Sequence, residues 1–167
     1  RLTPDMPVEA NLLTGGELSC AQERSAQLIT DATADMNVLG RLIGGSNSML
    51  ILTDTEGLIL DTRGDPEIMT RAQRVALQAG GNWGEMAKGT NAIGTALREH
   101  RPVEVHGGEH FFDALSFLNC ACAPILDPYG QVIGALDVTT HREGRHPHTM
   151  GLVALTVELI EQQMFKG

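Results

Sequence analysis

The apolar positions near the start of the chain repeat with the spacing of a helix. From Glu17 to about Ile43 they step by three and four residues, and the first glycine in this stretch is Gly40. The repeating positions are Ser25, Ile29, Ala32, Met36, Leu39 and Ile43. The pattern predicts one long helix over residues 17–43, ended by the glycines at positions 44 and 45.

The end of the chain also has a helical pattern, but with two apolar stripes. A helix is predicted from about His148 to Phe165. One stripe comprises Met150, Val153, Val157, Ile160 and Met164, and the other comprises Leu152, Leu155 and Leu159. Because two stripes need two surfaces to cover them, we expect one to pack on a sheet and the other on a second subunit or on the next domain. The pattern therefore predicts a homodimer.

The middle of the chain consists of short apolar runs separated by turns. Five strands are predicted, over residues 48–53, 58–61, 102–106, 119–126 and 131–139. Two short helices are expected within residues 65–79 and 90–100. Together these elements predict an α+β domain with a central antiparallel sheet. The terminal helices are expected on one face, and short helices and loops should enclose a pocket on the other.

Residues 1–16 show little periodicity, so we expect a loose leader followed by one domain over residues 17–167. Composition narrows the function of that domain. The chain has 167 residues and a formal net charge of −9, which weighs against direct binding to nucleic acid or to an anionic membrane. Three cysteines do not form a disulfide framework, and no apolar run is long enough to span a bilayer. A cytoplasmic protein with reduced thiols is expected.

The segment from Gly89 to Thr95 has the glycine spacing of a phosphate-binding loop, but Thr95 stands where such a loop needs lysine. We therefore interpret the segment as the start of a helix capped by Thr90 or Asn91, with Asn91 or Thr95 facing the pocket.

Cysteine and histidine residues in the second half of the chain raise the question of metal binding or catalysis. The spacing of His106, His110, Cys120 and Cys122 is not that of a zinc site. A cysteine nucleophile with His110 as its base would lack a recognisable oxyanion site. We expect no metal, no cofactor and no enzymatic activity. Whether the cysteines are buried apolar residues or sensor thiols stays open at this point.

Several motifs together resemble a known family. They are Trp83-Gly84-Glu85, the run from Gly89 to Leu97, Glu109-His110-Phe111, the run from Cys120 to Ile125, and Gly134 to Val138. Over roughly residues 20–165 the chain resembles the N-terminal GAF sensor domain of sigma-54-dependent activators, of the acetoin-catabolism and dihydroxyacetone-operon regulator type. It departs from the usual family pattern at Cys120-Ala121-Cys122 and at Thr139-Thr140.

The resemblance implies a GAF-like fold and a sensory function. A small neutral inducer, of the hydroxyketone, diol or alcohol class, would bind in the pocket, and the terminal helices would relay its presence to an ATPase domain. Sigma-54 RNA polymerase and DNA would be contacted only by domains outside these residues. The predicted ligand site comprises Trp83, Glu85, Thr90, Asn91, Thr95, His110, Phe111, Cys120, Cys122 and Asp137.

Two alternatives remain open from the sequence. The domain is either a docking module for a metabolic enzyme subunit, or a thiol or metal sensor that uses Cys120 and Cys122.

Overall fold

A computed structural model describes residues 1–8, 11–144 and 146–166. The helices in this part of the chain are α1 (Gly15–Arg24), α2 (Ala26–Ile43), α3 (Pro66–Gln73), α4 (Glu85–Lys88), α5 (Ala92–Glu99) and α6 (Thr149–Lys166). The strands are β1 (Ser48–Asp54), β2 (Ile59–Gly64), β3 (Val103–His106), β4 (Leu118–Leu126) and β5 (Val132–His141).

The five strands form one antiparallel sheet in the order β2-β1-β5-β4-β3. Its two faces follow from the alternation of side chains along each strand. On β1, Met49 and Ile51 pack on one face together with α3 and α5, whereas Leu50 and Leu52 pack on the other with α2 and α6. The predicted α+β architecture, with terminal helices on one face and short helices and loops on the other, is confirmed.

The predicted long first helix is two helices that meet at Ser25. The dihedral angles of Ser25 (φ −107°, ψ 19°) lie outside the helical range. Helix α1 begins at Gly15, earlier than predicted, because Thr14 and Glu17 exchange the two hydrogen bonds of a capping box. Three positions of the predicted seam, Ala32, Met36 and Leu39, are buried in α2. The buried positions of α2 are Leu28, Ala32, Met36 and Leu39.

The first residues pack against the domain and are not loose. Val8 is buried in the core on the α5 face of the sheet, next to Leu2 and Met6. The backbone N–H of Asp113 donates to the carbonyl of Pro4 (2.9 Å). The prediction of a loose leader was wrong for this reason: its few apolar side chains find a place in the core that no local periodicity reveals.

Other boundaries differ where the chain turns sharply. The helix predicted over residues 65–79 ends at Gln73, and Ala76 adopts a left-handed conformation (φ 60°) shortly after it. Residues 85–88 form α4, a single helical turn too short to give a periodic signal. The helix predicted over residues 90–100 begins at Ala92, with Asn91 as its cap.

The two apolar stripes of α6 have different environments, so substitutions in the two stripes should change the free energy of unfolding by different amounts. Ile160 is completely buried against the sheet, whereas Leu159 is 41% exposed. We expect Ile160→Ala to lower the free energy of unfolding by about 2–4 kcal/mol, because it leaves a cavity in the core. Leu159→Ala should change it by less than about 1 kcal/mol. Urea denaturation of both variants checks this, and the reverse order would contradict the orientation of α6.

Candidate ligand-binding site

A small cavity lies on the face of the sheet that α5 covers. Its volume is about 10 Å³, enough for the centre of one water molecule. Apolar walls are formed by Leu77, Trp83, Ala92, Ile93, Leu115 and Leu118. The polar side chains that reach it belong to Asn91, His110, Cys120, Asp137 and Thr139. The site therefore combines an apolar enclosure with a few convergent polar groups, the usual composition of a small-molecule site.

Asp137 lies in the middle of β5 and is completely buried. Its neighbours across the sheet are Ile51 on β1 and Cys122 on β4. The Oδ2 atom accepts a hydrogen bond from Thr139 Oγ1 (2.5 Å), while Oδ1 has no partner among the described residues. Burial raises the pKa of Asp137 to about 7, although the hydrogen bond from Thr139 opposes this effect.

A chain of contacts links Asp137 to the loop above the cavity. Thr139 Oγ1 lies 3.3 Å from Cys120 Sγ, which in turn lies 3.6 Å from His110 Nε2. His110 Nδ1 lies 2.8 Å from the carbonyl oxygen of Gly107. Since a carbonyl only accepts, Nδ1 carries the proton and Nε2 is the acceptor of the neutral ring. Burial lowers the pKa of His110, which favours this neutral form.

Cys120 and His110, the pair rejected on sequence grounds as a nucleophile and its base, lie together, but not in a reactive state. Burial, and secondly the charge of Asp137, raise the pKa of the Cys120 thiol well above its ordinary value. The pKa of Cys122 is raised in the same way. A thiol held protonated is a poor nucleophile and a poor sensor of oxidants. Within the described ranges, no cluster of three or more His, Cys, Asp or Glu side chains is placed to hold a metal ion.

Trp83 and Asn91 border the cavity, but their polar atoms form hydrogen bonds with backbone groups of the protein. Trp83 Nε1 donates to the carbonyl of Ala76 (3.0 Å). Asn91 Oδ1 accepts from the backbone N–H of Gly94, and Asn91 Nδ2 donates to the carbonyls of Trp83 and Gly89. Trp83 therefore offers an apolar wall. Asn91 holds the start of α5 and has little capacity left for a ligand.

Glu85 and Thr95, both predicted as ligand-site residues, lie outside the cavity. Thr95 Oγ1 donates to Glu85 Oε2 (3.2 Å), and Arg98 forms an ion pair with Glu85 (2.7 Å). Glu85 and Arg98 line a separate outer groove of about 330 Å³. The structure thus does not bring these residues to the other candidates.

Thr90, Phe111 and Cys122 surround the site without lining the cavity. Thr90 is exposed, and its carbonyl accepts from the N–H of Phe111 (3.0 Å). Phe111 packs directly on Gly89, where a Cβ would meet its ring at 2.5 Å. Cys122 is buried beside Asp137 in the sheet. Contacts of these residues with a ligand stay predictions.

Two polar residues of this region were not predicted. Thr139 follows Asp137 by two positions and so shares its face of β5, a relation that the strand period alone could have indicated. Lys88 is buried, with its ammonium 5.7 Å from the centre of the Trp83 ring. No local pattern marks a lysine of a one-turn helix as buried.

Comparison with known proteins finds a family match over most of the chain and relatives that are named as regulators. The family model for the GAF domain matches residues 28–164. The chain is 31% identical over 163 residues to the acetoin dehydrogenase operon transcriptional activator AcoR of Bacillus subtilis, covering 98% of this chain and 27% of that protein. It is 31% identical over 160 residues to a signal-transduction and transcriptional-control protein of Clostridium beijerinckii, covering 96% of this chain and 25% of that protein. The chain thus spans about a quarter of the length of these curated relatives.

A solved structure matches the fold closely. The crystal structure of the E. coli DhaR(N)–DhaL complex superposes with a TM-score of 0.94 over 99% of this chain and 56% of that chain, at 16% identity. At this identity the likeness shows the fold alone. In the described part of the chain, no helix has the length and apolar character needed to cross a membrane.

The raised pKa of Asp137 predicts a pH-dependent stability. The folded protein holds this proton more tightly than the unfolded chain, so the free energy of unfolding falls as pH rises from the ordinary carboxyl value of 3.8 to about 7. Between pH 5 and pH 8 the wild type should lose about 2–3 kcal/mol relative to Asp137→Asn, whose amide does not titrate. Urea denaturation of both proteins across this range measures the difference, because all other groups are shared. Parallel stability curves would contradict the prediction.

Proposed function

The chain belongs to the GAF domain family, and we propose that it senses a small neutral hydroxyketone, diol or alcohol on behalf of a bacterial transcriptional activator. The single observation that carries this proposal is the cavity in which the Asp137–Thr139–Cys120–His110 contacts meet apolar walls. The relatives named as transcriptional activators match nearly the whole chain, and AcoR is named for the operon of an enzyme that acts on acetoin, a four-carbon hydroxyketone. A ligand of this class has the mixed apolar and polar character of the site.

The ligand has to open the cavity before it binds. A volume of about 10 Å³ cannot hold a four-carbon compound. The segment over residues 107–117 contributes His110 and Leu115 to the cavity, and backbone bonds from Phe111 to Thr90 and from Asp113 to Pro4 help to hold it in place. Movement of this segment would enlarge the cavity, and the ligand would stabilise the open state.

The sheet offers a route from the cavity to the terminal helices. Asp137 faces the cavity, and the next residue, Val138, faces the core shared by α2 and α6. Helix α6 packs on both β4 and β5. A shift of these strands on ligand binding would therefore move α6. We propose that this movement controls an ATPase output domain, which with a DNA-binding domain outside this chain acts on sigma-54 RNA polymerase in the cytoplasm. The chain itself would carry out no catalysis and need no cofactor.

Ligand binding is testable with the tryptophan of the cavity wall, which is the only one in the chain. We expect acetoin to raise the melting temperature and to change the fluorescence of Trp83, because a ligand that binds only the folded state stabilises it. His110→Ala should weaken binding about tenfold, since it removes a buried polar group of the cavity. His146→Ala is the matched control, because His146 is exposed. Absence of any response to hydroxyketones, diols and alcohols would overturn the proposal.

A protein partner is the second candidate signal. The observation in its favour is the close fold likeness to DhaR(N), which was solved in complex with the protein DhaL. By this hypothesis a subunit of a metabolic enzyme docks on the domain surface in place of a metabolite in the cavity. This candidate would be favoured if the domain binds such a subunit but binds none of the hydroxyketones, diols and alcohols tested.

We further propose that the domain forms a homodimer through α2 and α6. Val38 and Leu42 on α2 are exposed, as are Leu155 (55%) and Leu159 (41%) on α6. The first stripe of α6 and Leu152 of the second stripe pack on the core of the same chain, so Leu155 and Leu159 are the apolar side chains of α6 left to cover. A two-fold pairing of these helices would bury both patches.

Charge introduced on this surface should separate the subunits. We expect the unmodified chain to sediment as a dimer at about 100 μM and the double variant Leu155→Glu/Leu159→Glu as a monomer, because the pairing would bury unpaired carboxylates. Met86→Glu, on a side chain that is 97% exposed on α4, is the control and should remain dimeric. A monomeric unmodified chain would contradict the proposal.

A further inference from the structure

The Oδ1 atom of Asp137 is buried and accepts no hydrogen bond from any described residue. Four buried side-chain atoms in the described residues lack a hydrogen bond, in Asp35, Asn47, His106 and Asp137. The first three side chains belong to residues that are partly exposed, whereas Asp137 is completely enclosed and lines the cavity. A buried polar atom without a partner costs free energy, so this oxygen is a ready point for a ligand to bind.

The two protonation states of Asp137 offer different hydrogen bonds to a ligand. Its Oδ2 atom accepts from Thr139 whether the side chain is ionised or not. In the carboxylate, Oδ1 only accepts, while in the acid Oδ1 carries the proton and donates. A ligand hydroxyl both donates and accepts, so it can pair with either state. A ligand ketone only accepts, so it can pair with the acid alone.

The groups that face Asp137 come from β4, from the loop above the cavity, from β1 and from the α5 side. Cys120 and Cys122 face it from β4, and burial raises the pKa of both thiols. His110 reaches the cavity from the loop above, and burial lowers its pKa. Neighbouring β1 contributes the apolar Ile51. On the α5 side the cavity is bordered by Trp83, Asn91, Ala92 and Ile93, and Lys88 of α4 lies against the Trp83 ring.

We propose that Asp137, through a hydrogen bond at Oδ1, selects hydroxyl-bearing ligands over ketones of the same size, and that this selectivity grows as Asp137 ionises. The inference rests on the proposed function, because it names the residue and the ligand group that determine specificity in the same cavity. Thr139 acts as a positioning residue, since its bond occupies Oδ2, leaves Oδ1 as the oxygen without a partner among the described residues, and favours the ionised state.

The size of the effect follows from the fraction of Asp137 that carries a proton. With a pKa of about 7, the acid makes up most of the protein at pH 6 and about a tenth of it at pH 8. A ketone that binds only the acid should therefore lose about tenfold in affinity between these two pH values. An alcohol should change by less than about threefold.

Butan-2-ol and butan-2-one are the matched probes, and Trp83 fluorescence titrations of the 167-residue chain at pH 6, 7 and 8 give their affinities. Asp137→Asn keeps the shape of the side chain and retains His110, Cys120 and Lys88. In this variant the ratio of the two affinities should be independent of pH. Thr139→Val, which removes the bond that lowers the pKa of Asp137, should move the loss of ketone binding to higher pH. This second variant keeps the inference testable if the first fails to fold.

The outcomes separate the inference from the proposed function. A ketone affinity that falls with pH in the wild type, while the alcohol affinity holds, supports the role of Asp137. If both probes bind with the same pH dependence, Asp137 does not have this role. The same conclusion follows if Asp137→Asn keeps the pH profile of the wild type. In both cases the proposed sensor function is unaffected. If neither probe nor any other compound of the class binds at any pH, the proposed function fails, and the inference fails with it.

Discussion

A carboxyl group buried in the centre of a five-stranded sheet is the constraint around which this domain is organised. Asp137 has apolar or thiol neighbours on both adjacent strands, and one hydrogen bond from Thr139 compensates only part of the cost of removing it from water. A purely structural core would place an apolar side chain at such a position. Asp137 instead lines a cavity, and its second oxygen has no partner among the described residues.

The two-faced sheet connects this group to the surfaces that would carry a signal. Side chains alternate along β5, so a residue of the cavity and a residue of the α6 core are direct neighbours in sequence. On the cavity side, the loop that contains Phe111 closes against Gly89, whose positive φ and close approach exclude a larger residue. If the loop must open before a ligand binds, the free energy of opening lowers the apparent affinity of the ligand. Because the closed state predominates without ligand, binding would then shift the population towards the open state.

The predicted ligand site and the set of residues around the cavity differ because a sequence holds only one kind of information about packing. Resemblance and strand pattern together placed Trp83, His110, Cys120 and Asp137 in one region, and the structure brings them around one cavity. Glu85 was an equally reasonable candidate, but its ion pair with Arg98 holds it on the outer surface. Such pairing depends on how α4 and α5 pack. That packing is set by contacts between the two helices and cannot be predicted from the sequence of either helix alone.

The sequence by itself determined the elements and their faces, because periods of two and of about 3.6 residues fix which side chains share a surface. It therefore predicted the antiparallel sheet, the terminal helices on one side of it and a second apolar stripe on α6 that the sheet does not fully cover. Only the tertiary structure decided the break at Ser25, the packing of Val8 into the core and the complete use of the Asn91 amide by backbone groups. It also decided that one oxygen of Asp137 has no partner. The physical reason is that burial and hydrogen bonding are set by residues far apart in the chain.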